Sequence, residues 1–196
     1  MKKIKSNEII PLGVNIAVEI KIKEKEINGV SLGKSLANKS NIEFYSGKVL
    51  KLGESSTDGK LGQCPNLEEG DFVIFSQFAG VVPPTEDIYM KVVTGHDIVA
   101  YSKNEDMNIE DIMPANERIL VKILEEDIEI NGVKIKGGQD PRELQVQKCE
   151  IIRLGLNSPF KENDIVFIEP DCGNLIVNDP DLKLKTVEYR DILFKI

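Results

Sequence analysis

A chain of 196 residues, 41% hydrophobic and 30% charged, can bury the core of one large domain or two small ones, but not of a multidomain enzyme. Its 25 Lys and Arg stand against 33 Asp and Glu for a net charge of −8, the reverse of the basic surface that phosphate neutralisation needs, so nucleic acid is excluded as an expected partner. No apolar run approaches the roughly 18 to 20 residues that cross a bilayer, and Met1-Lys2-Lys3-Ile4-Lys5 leads into Ser6, Asn7 and Glu8 rather than an apolar signal core, so a soluble, unexported protein is expected.

In chain order, the predicted elements are strands: 16–22, 47–52, 71–75, 88–93, 118–123, 146–154, 164–168 and 184–189. Each is a short alternating or β-branched run, and they are separated by Gly, Pro, Asn and Asp turn signals. No amphipathic helix longer than two turns is expected. Many short strands at close spacing argue for a small barrel or sandwich, which also limits exposed sheet edges.

The elements recur. Glu26-Ile27-Asn28-Gly29-Val30-Ser31-Leu32 returns as Glu129-Ile130-Asn131-Gly132-Val133-Lys134-Ile135, 103 positions later, at the same offset as Pro11 and Pro114. Val49-Leu50-Lys51-Leu52-Gly53 is echoed by Ile151-Ile152-Arg153-Leu154-Gly155 at an offset of 102. Gly70-Asp71-Phe72-Val73 and Asn163-Asp164-Ile165-Val166 then stand 93 apart, and Asp97-Ile98-Val99 and Asp191-Ile192-Leu193 stand 94 apart. One deletion of about nine residues in the second copy accounts for the change. Two tandem domains are therefore expected, 1–102 and 109–196, joined by the polar segment Ser102 to Asn108.

The longest non-periodic stretches, 23–41 and 125–145, follow the first strand of each copy. Loops of this length are usually functional or disordered. Each carries Ile-Asn-Gly-Val, and Asn-Gly between apolar residues is a strong hairpin signal. Against a hairpin stand the polar and small flanks, Lys23-Glu24-Lys25-Glu26 and Gly33-Lys34-Ser35-Leu36-Ala37-Asn38-Lys39-Ser40. The expectation is an extended segment in which Val30 with Leu32, and Val133 with Ile135, share a face while Ser31 and Lys134 point away. Burying one such pair contributes about 3 to 6 kcal/mol, and ordering the loop costs about 1 kcal/mol per residue. One loop alone would bind weakly; several on a rigid platform would bind well through effective concentration.

Pro11-Leu12, Gly29-Val30-Ser31-Leu32, Gly47 to Gly53, Gly70 to Phe75 and Asp97 to Ala100 resemble the GroES (chaperonin-10) co-chaperonins in order and spacing. The second copy resembles them more thinly, through Pro114, Arg118-Ile119, Gly132 to Ile135, Leu154-Gly155, Asn163 to Val166 and Asp191 to Leu193. The resemblance implies an all-β fold of two tandem, partly open β-barrels. It implies a ring-shaped homo-oligomer that caps a GroEL-type chaperonin ring in its ATP-bound state and encloses client proteins. Gly29, Val30, Ser31 and Leu32, with Gly132, Val133, Lys134 and Ile135, become the chaperonin-binding residues. A roof hairpin would fall on 54–61; the second copy keeps only Leu156 to Phe160 there and would lack one. Two domains per chain resembles the chloroplast double-domain form. No Arg-rich and Ser-rich transit segment precedes Pro11, so a bacterial or bacteriophage origin and a cytoplasmic location, the host's if phage-encoded, are expected.

No enzyme is expected, nor a cofactor or metal of the chain's own, since neither GxGxxG nor GxxxxGK[ST] occurs and ATP would be bound by the partner. His96 beside Asp97 lacks a nucleophile context and reads as a turn residue. Cys64, Cys149 and Cys172 form no CxxC pair, and Cys172 reads as a solvated or half-buried thiol. Glu125-Glu126-Asp127 lacks calcium-loop spacing. Ser76 to Val81 and Pro83-Pro84 read as a loop and short strand packing near a subunit neighbour, without chemistry. The alternative is a structural or virion β-domain protein whose loops are ordinary hairpins. A GroES-like dehydrogenase domain would need a Rossmann partner and zinc ligands.

Overall fold

Short apolar and β-branched runs make strands with a buried face, and the computed structural model shows two main sheets built from them. It describes residues 3–20, 26–27, 30–31, 44–54, 66–124, 128–130, 133–135, 146–179 and 182–196. Among them the only helical elements are 3-10 turns at Ser6–Glu8, Gly95–Asp97 and Tyr189–Asp191. The chain divides into two compact units, Met1–Asp111 and Ile112–Ile196. By this division the polar stretch 102–108 lies inside the first unit: Ser102 is buried, and Lys103 bridges to Glu68 and Asp71, each at 2.9 Å.

The first unit holds β1 (Asn15–Ile20), β2 (Glu26–Ile27), β3 (Val30–Ser31), β4 (Phe44–Leu52), β5 (Phe72–Ser76), β6 (Met90–Thr94) and β7 (Ile98–Ser102). Five of these hydrogen-bond antiparallel in the order β6-β1-β4-β5-β7, over a core that includes Ile16, Val18, Val49, Val73, Phe75 and Val93. The second unit holds β8 (Met113–Pro114), β9 (Arg118–Ile123), β10 (Ile128–Ile130), β11 (Val133–Ile135), β12 (Gln147–Leu154), β13 (Ile165–Ile168), β14 (Asn174–Asp179), β15 (Leu182–Glu188) and β16 (Ile192–Lys195). Its sheet runs β14-β15-β9-β12-β13-β16 over Ile119, Val121, Ile123, Cys149, Ile151, Val166, Ile168 and Val187. Neither strand order closes on itself, so each unit is an open, barrel-like sheet.

The duplicated sequence is a duplicated fold: β9, β12, β13, β15 and β16 take the places of β1, β4, β5, β6 and β7. The match reaches single residues. Pairing slips at Leu50 between β1 and β4 and at Ile152 between β9 and β12, the same one-residue bulge in each copy. Gly70 and Asn163 both take a positive φ, 100° and 69°, and their N–H groups donate to Val49 O and Ile151 O, each at 2.8 Å. The following carboxylates, Asp71 and Asp164, accept from the N–H of Glu68 at 2.9 Å and of Lys161 at 3.0 Å. That bond, with the Lys195 ammonium at 3.1 Å, holds the Asp164 carboxyl below its ordinary range.

Two buried lysines are equally repeated. Lys91 Nζ donates to the carbonyls of Gln77 and Ala79; Lys185 Nζ donates to those of Pro170 and Cys172 and to Gln147 Oε1. Each ammonium fixes the loop that leaves β5 or β13, and burial pushes the Lys91 amine below its usual range. In the first unit that loop then carries Val81, bridged to Val92, and continues to Thr85. Ile4 lies parallel to Thr85, and the Ser6 N–H and hydroxyl donate to the Asp87 carboxylate.

Of the expected roof hairpin, only Glu54 lies within the described residues. Between β12 and β13 the chain makes turns and no strand, so the second unit lacks that hairpin. β7, β14 and β16 were not expected as strands. β7 is buried at all five positions and so does not alternate, while β14 carries Asn174, Asn178 and Asp179, which disfavour strands.

Candidate functional site

Both predicted loops leave the sheet at the same place, after β1 and after β9. Their described backbone is extended and paired. β2 and β3 form a two-stranded sheet with Ile27 opposite Val30 and Glu26 opposite Ser31. β10 and β11 form another, with Ile128 opposite Ile135, Glu129 opposite Lys134 and Ile130 opposite Val133. This corrects the expectation against a hairpin: two or three pairs flanking Asn-Gly suffice for a ribbon, and the polar flanks that argued against core strands do not prevent one outside the main sheets. Val30, Ser31, Val133, Lys134 and Ile135 therefore lie on the second strand of each ribbon. Gly29, Leu32 and Gly132 lie outside the described residues, as does the acidic run 125–127.

Cross-strand partners share a face and successive positions alternate. In the second ribbon the register puts positions 128, 130, 133 and 135, all aliphatic in sequence, on one face and positions 129 and 134 on the other. In the first, Ile27 and Val30 share a face, with Glu26 and Ser31 on the other.

The candidate catalytic groups have structural roles. His96 is exposed in the 3-10 turn, where Asp97 Oδ2 accepts from Thr94 N at 2.9 Å and Thr94 Oγ1 at 2.8 Å, so that carboxylate closes the turn. Among the described residues no three His, Cys, Asp or Glu side chains could hold a metal ion. Sequence gave no cation near Cys172; the fold brings Lys185 there, yet desolvation outweighs its field and pushes the thiol up. Burial pushes the Cys149 thiol up to about 12. About one Cys149 in ten thousand is then thiolate at pH 8. Alkylation at that pH is therefore expected to spare Cys149 in the folded protein and modify it only on unfolding; rapid labelling of the native protein, read by mass spectrometry, would contradict its burial.

Among the residues whose burial is described, exposed apolar side chains fall in three places. Phe78, Val81 and Val82 are exposed on the loop after β5, Ile10 and Leu12 just before β1, and Leu193, Phe194 and Ile196 on and after the edge strand β16. No described helix is long and apolar enough to cross a membrane.

Residues 8–102 match the family model described as the chaperonin 10 Kd subunit. The chain is similar to the 20 kDa chaperonin, chloroplastic, of Arabidopsis thaliana, 30% identical over 177 residues that cover 88% of this chain and 66% of that protein. It is also similar to the protein of the same name from Spinacia oleracea, 25% identical over 129 residues, covering 65% of this chain and 48% of that protein. The chain thus spans about half to two thirds of the length of these relatives.

Proposed function

Because this chain belongs, through residues 8–102, to the chaperonin 10 Kd subunit family, we propose that it is a co-chaperonin: a non-enzymatic lid that docks on a GroEL-type chaperonin ring in its ATP-bound state and encloses client proteins for folding. The observation that carries this reading is the pair of two-stranded ribbons, β2–β3 and β10–β11, set at the same point of two sheets that repeat one topology. The docking residues are Gly29 to Leu32 and Gly132 to Ile135. The ribbons displace the unfolded client from an apolar groove on the ring, and ATP is held by the ring. A structural β-domain protein would share the ribbons, but not the likeness to a chaperonin subunit.

Self-assembly into a ring is part of the proposal. β16 is an edge strand with Leu193 and Phe194 exposed, a surface that soluble proteins normally protect. Ile10 and Leu12 are exposed at the other end of the chain. Head-to-tail association of copies through these two surfaces is a heterologous contact, which forms a ring where its rotation closes, and a ring lets weak ribbon contacts add through effective concentration.

Native mass spectrometry of the full chain with a bacterial chaperonin, with and without ATP, tests this. A complex that forms only with ATP is expected, and its mass gives the number of chains. No complex under any nucleotide condition would overturn the reading.

A further inference from the structure

The second unit carries cysteine at two places where the first carries glycine and alanine. Cys149 stands where Gly47 does: Gly47 pairs with Ile20 and Val73, and Cys149 pairs with Ile123 and Val166. Cys172 stands where Ala79 does, since the carbonyl of each accepts from the repeated lysine and each precedes a glycine of positive φ, Gly80 at 70° and Gly173 at 73°. The two cysteines also share their surroundings. Gln147 and Cys149 lie on one face of β12, and the Cys149 thiol donates to Gln147 O at 3.8 Å. The Lys185 ammonium donates to Gln147 Oε1 at 3.1 Å and to Cys172 O at 3.3 Å, so one buried amine joins the strand of one cysteine to the backbone of the other. Cys149 is fully buried in the core of the unit, and Cys172 packs half-buried against that core. The charge of Lys185 acts on both thiols, and a charge on Cys172 acts on Cys149. We infer that Cys149 and Cys172 are a redox pair, a modification site that closes into a disulfide within the second unit when a small-molecule disulfide such as oxidised glutathione is the oxidant. The pair is independent of the function proposed above and goes beyond it. Exchange runs in two balanced steps. Cys172, the more exposed thiol, loses its proton and attacks one sulfur of the reagent; a mixed disulfide forms, and the thiolate that leaves takes up a proton. Cys149 then loses its proton and attacks Cys172 Sγ, the protein S–S bond forms, and the second reagent thiolate leaves and is protonated. Two protein thiols are oxidised and one reagent disulfide is reduced to two thiols. Burial sets the order, because a reagent in solution reaches Cys172 and not Cys149, and the Lys185 ammonium favours the anion formed at each step. Gly47 and Ala79 carry no sulfur, so this corner of the first unit cannot be modified in the same way.

The test incubates the folded full chain with oxidised glutathione at pH 8 and reads the intact mass without reductant. Cys64→Ser removes the third thiol of the sequence, so that only the pair remains. A loss of about 2 Da is expected, reversed by a thiol reductant, with peptide mapping that joins Cys149 to Cys172 in one chain; the natural chain, mapped in the same way, should show the same link. Cys149→Ser should instead retain a glutathione adduct on Cys172, a gain of about 305 Da, and Cys172→Ser should leave Cys149 unmodified while the protein is folded. The chain with both cysteines decides the outcome, so failure of either serine variant to fold leaves the test intact. A stable glutathione adduct on Cys172 beside a reduced Cys149 would overturn the pair. So would an unchanged mass in the folded chain, a disulfide that links two chains, or a Cys149–Cys172 bond that forms only after unfolding in urea.

Discussion

Leu32→Asp combined with Ile135→Asp is expected to abolish docking on a chaperonin ring while leaving the protein folded. Each substitution removes an aliphatic anchor whose burial contributes about 1.5 to 3 kcal/mol, and each adds a carboxylate that an apolar groove desolvates without a partner. At 1.4 kcal/mol per tenfold, the lost burial alone lowers affinity by about two to four orders of magnitude, and repetition around an oligomer multiplies the loss. Ile135 pairs with Ile128 in the two-stranded β10–β11 ribbon, which is separate from the six-stranded sheet. Calorimetric unfolding should be unchanged while ATP-dependent co-sedimentation disappears. Retained co-sedimentation of the double variant would show that docking uses another surface, the exposed Phe78 to Val82 loop being the next place to look.

The features legible in the sequence were those the backbone itself demands. The Gly-Asp and Asn-Asp landmarks could be aligned because Gly70 and Asn163 occupy the positive-φ position of one turn, and Asp71 and Asp164 close it with the same side-chain acceptor. Local rules of this kind need no knowledge of distant residues. The ribbons were misread for a quantitative reason: the flanks were judged as core strands, whereas a hairpin outside the main sheet requires only a turn and a few pairs. Lys91 and Lys185 were illegible in principle. Each reads as the solvent-facing position of an alternating strand, yet each is buried because carbonyls about 14 residues upstream turn towards its amine, and sequence spacing carries no such signal. Cys172 shows the same limit, since its neighbouring cation comes from β15.

Gly155→Ala is expected to be among the most destabilising single-methyl changes in the second unit. A Cβ there would stand 2.3 Å from Arg118 O and 2.5 Å from Asn116 O, both backbone atoms that no side-chain rotation can clear. The Gly155 N–H also donates to Arg118 O at 2.8 Å, so moving the strand end to make room breaks the bond that seats it. Overpacking of this kind costs about 3 kcal/mol, equivalent to a fall of roughly 10 to 25 °C in Tm for a domain of under 100 residues. Gly53 occupies the same position in the first copy, its Cβ meeting Gly13 O at 2.4 Å and Asn15 O at 2.8 Å, and Gly53→Ala should cost as much. Gly70→Ala makes the contrast: its φ is positive, but nothing lies within 4 Å, so only conformational strain of about 1 kcal/mol is added. Scanning calorimetry of Gly155→Ala should therefore show the second unit unfolding first, as a separate transition below that of the first. Between the two transitions the chain keeps β2–β3 on a folded platform and loses that of β10–β11, so docking should fall there to the level of a one-ribbon lid. An unshifted transition would mean that the strand end can move aside, and that the shared Leu-Gly of the two copies has a cause other than this contact.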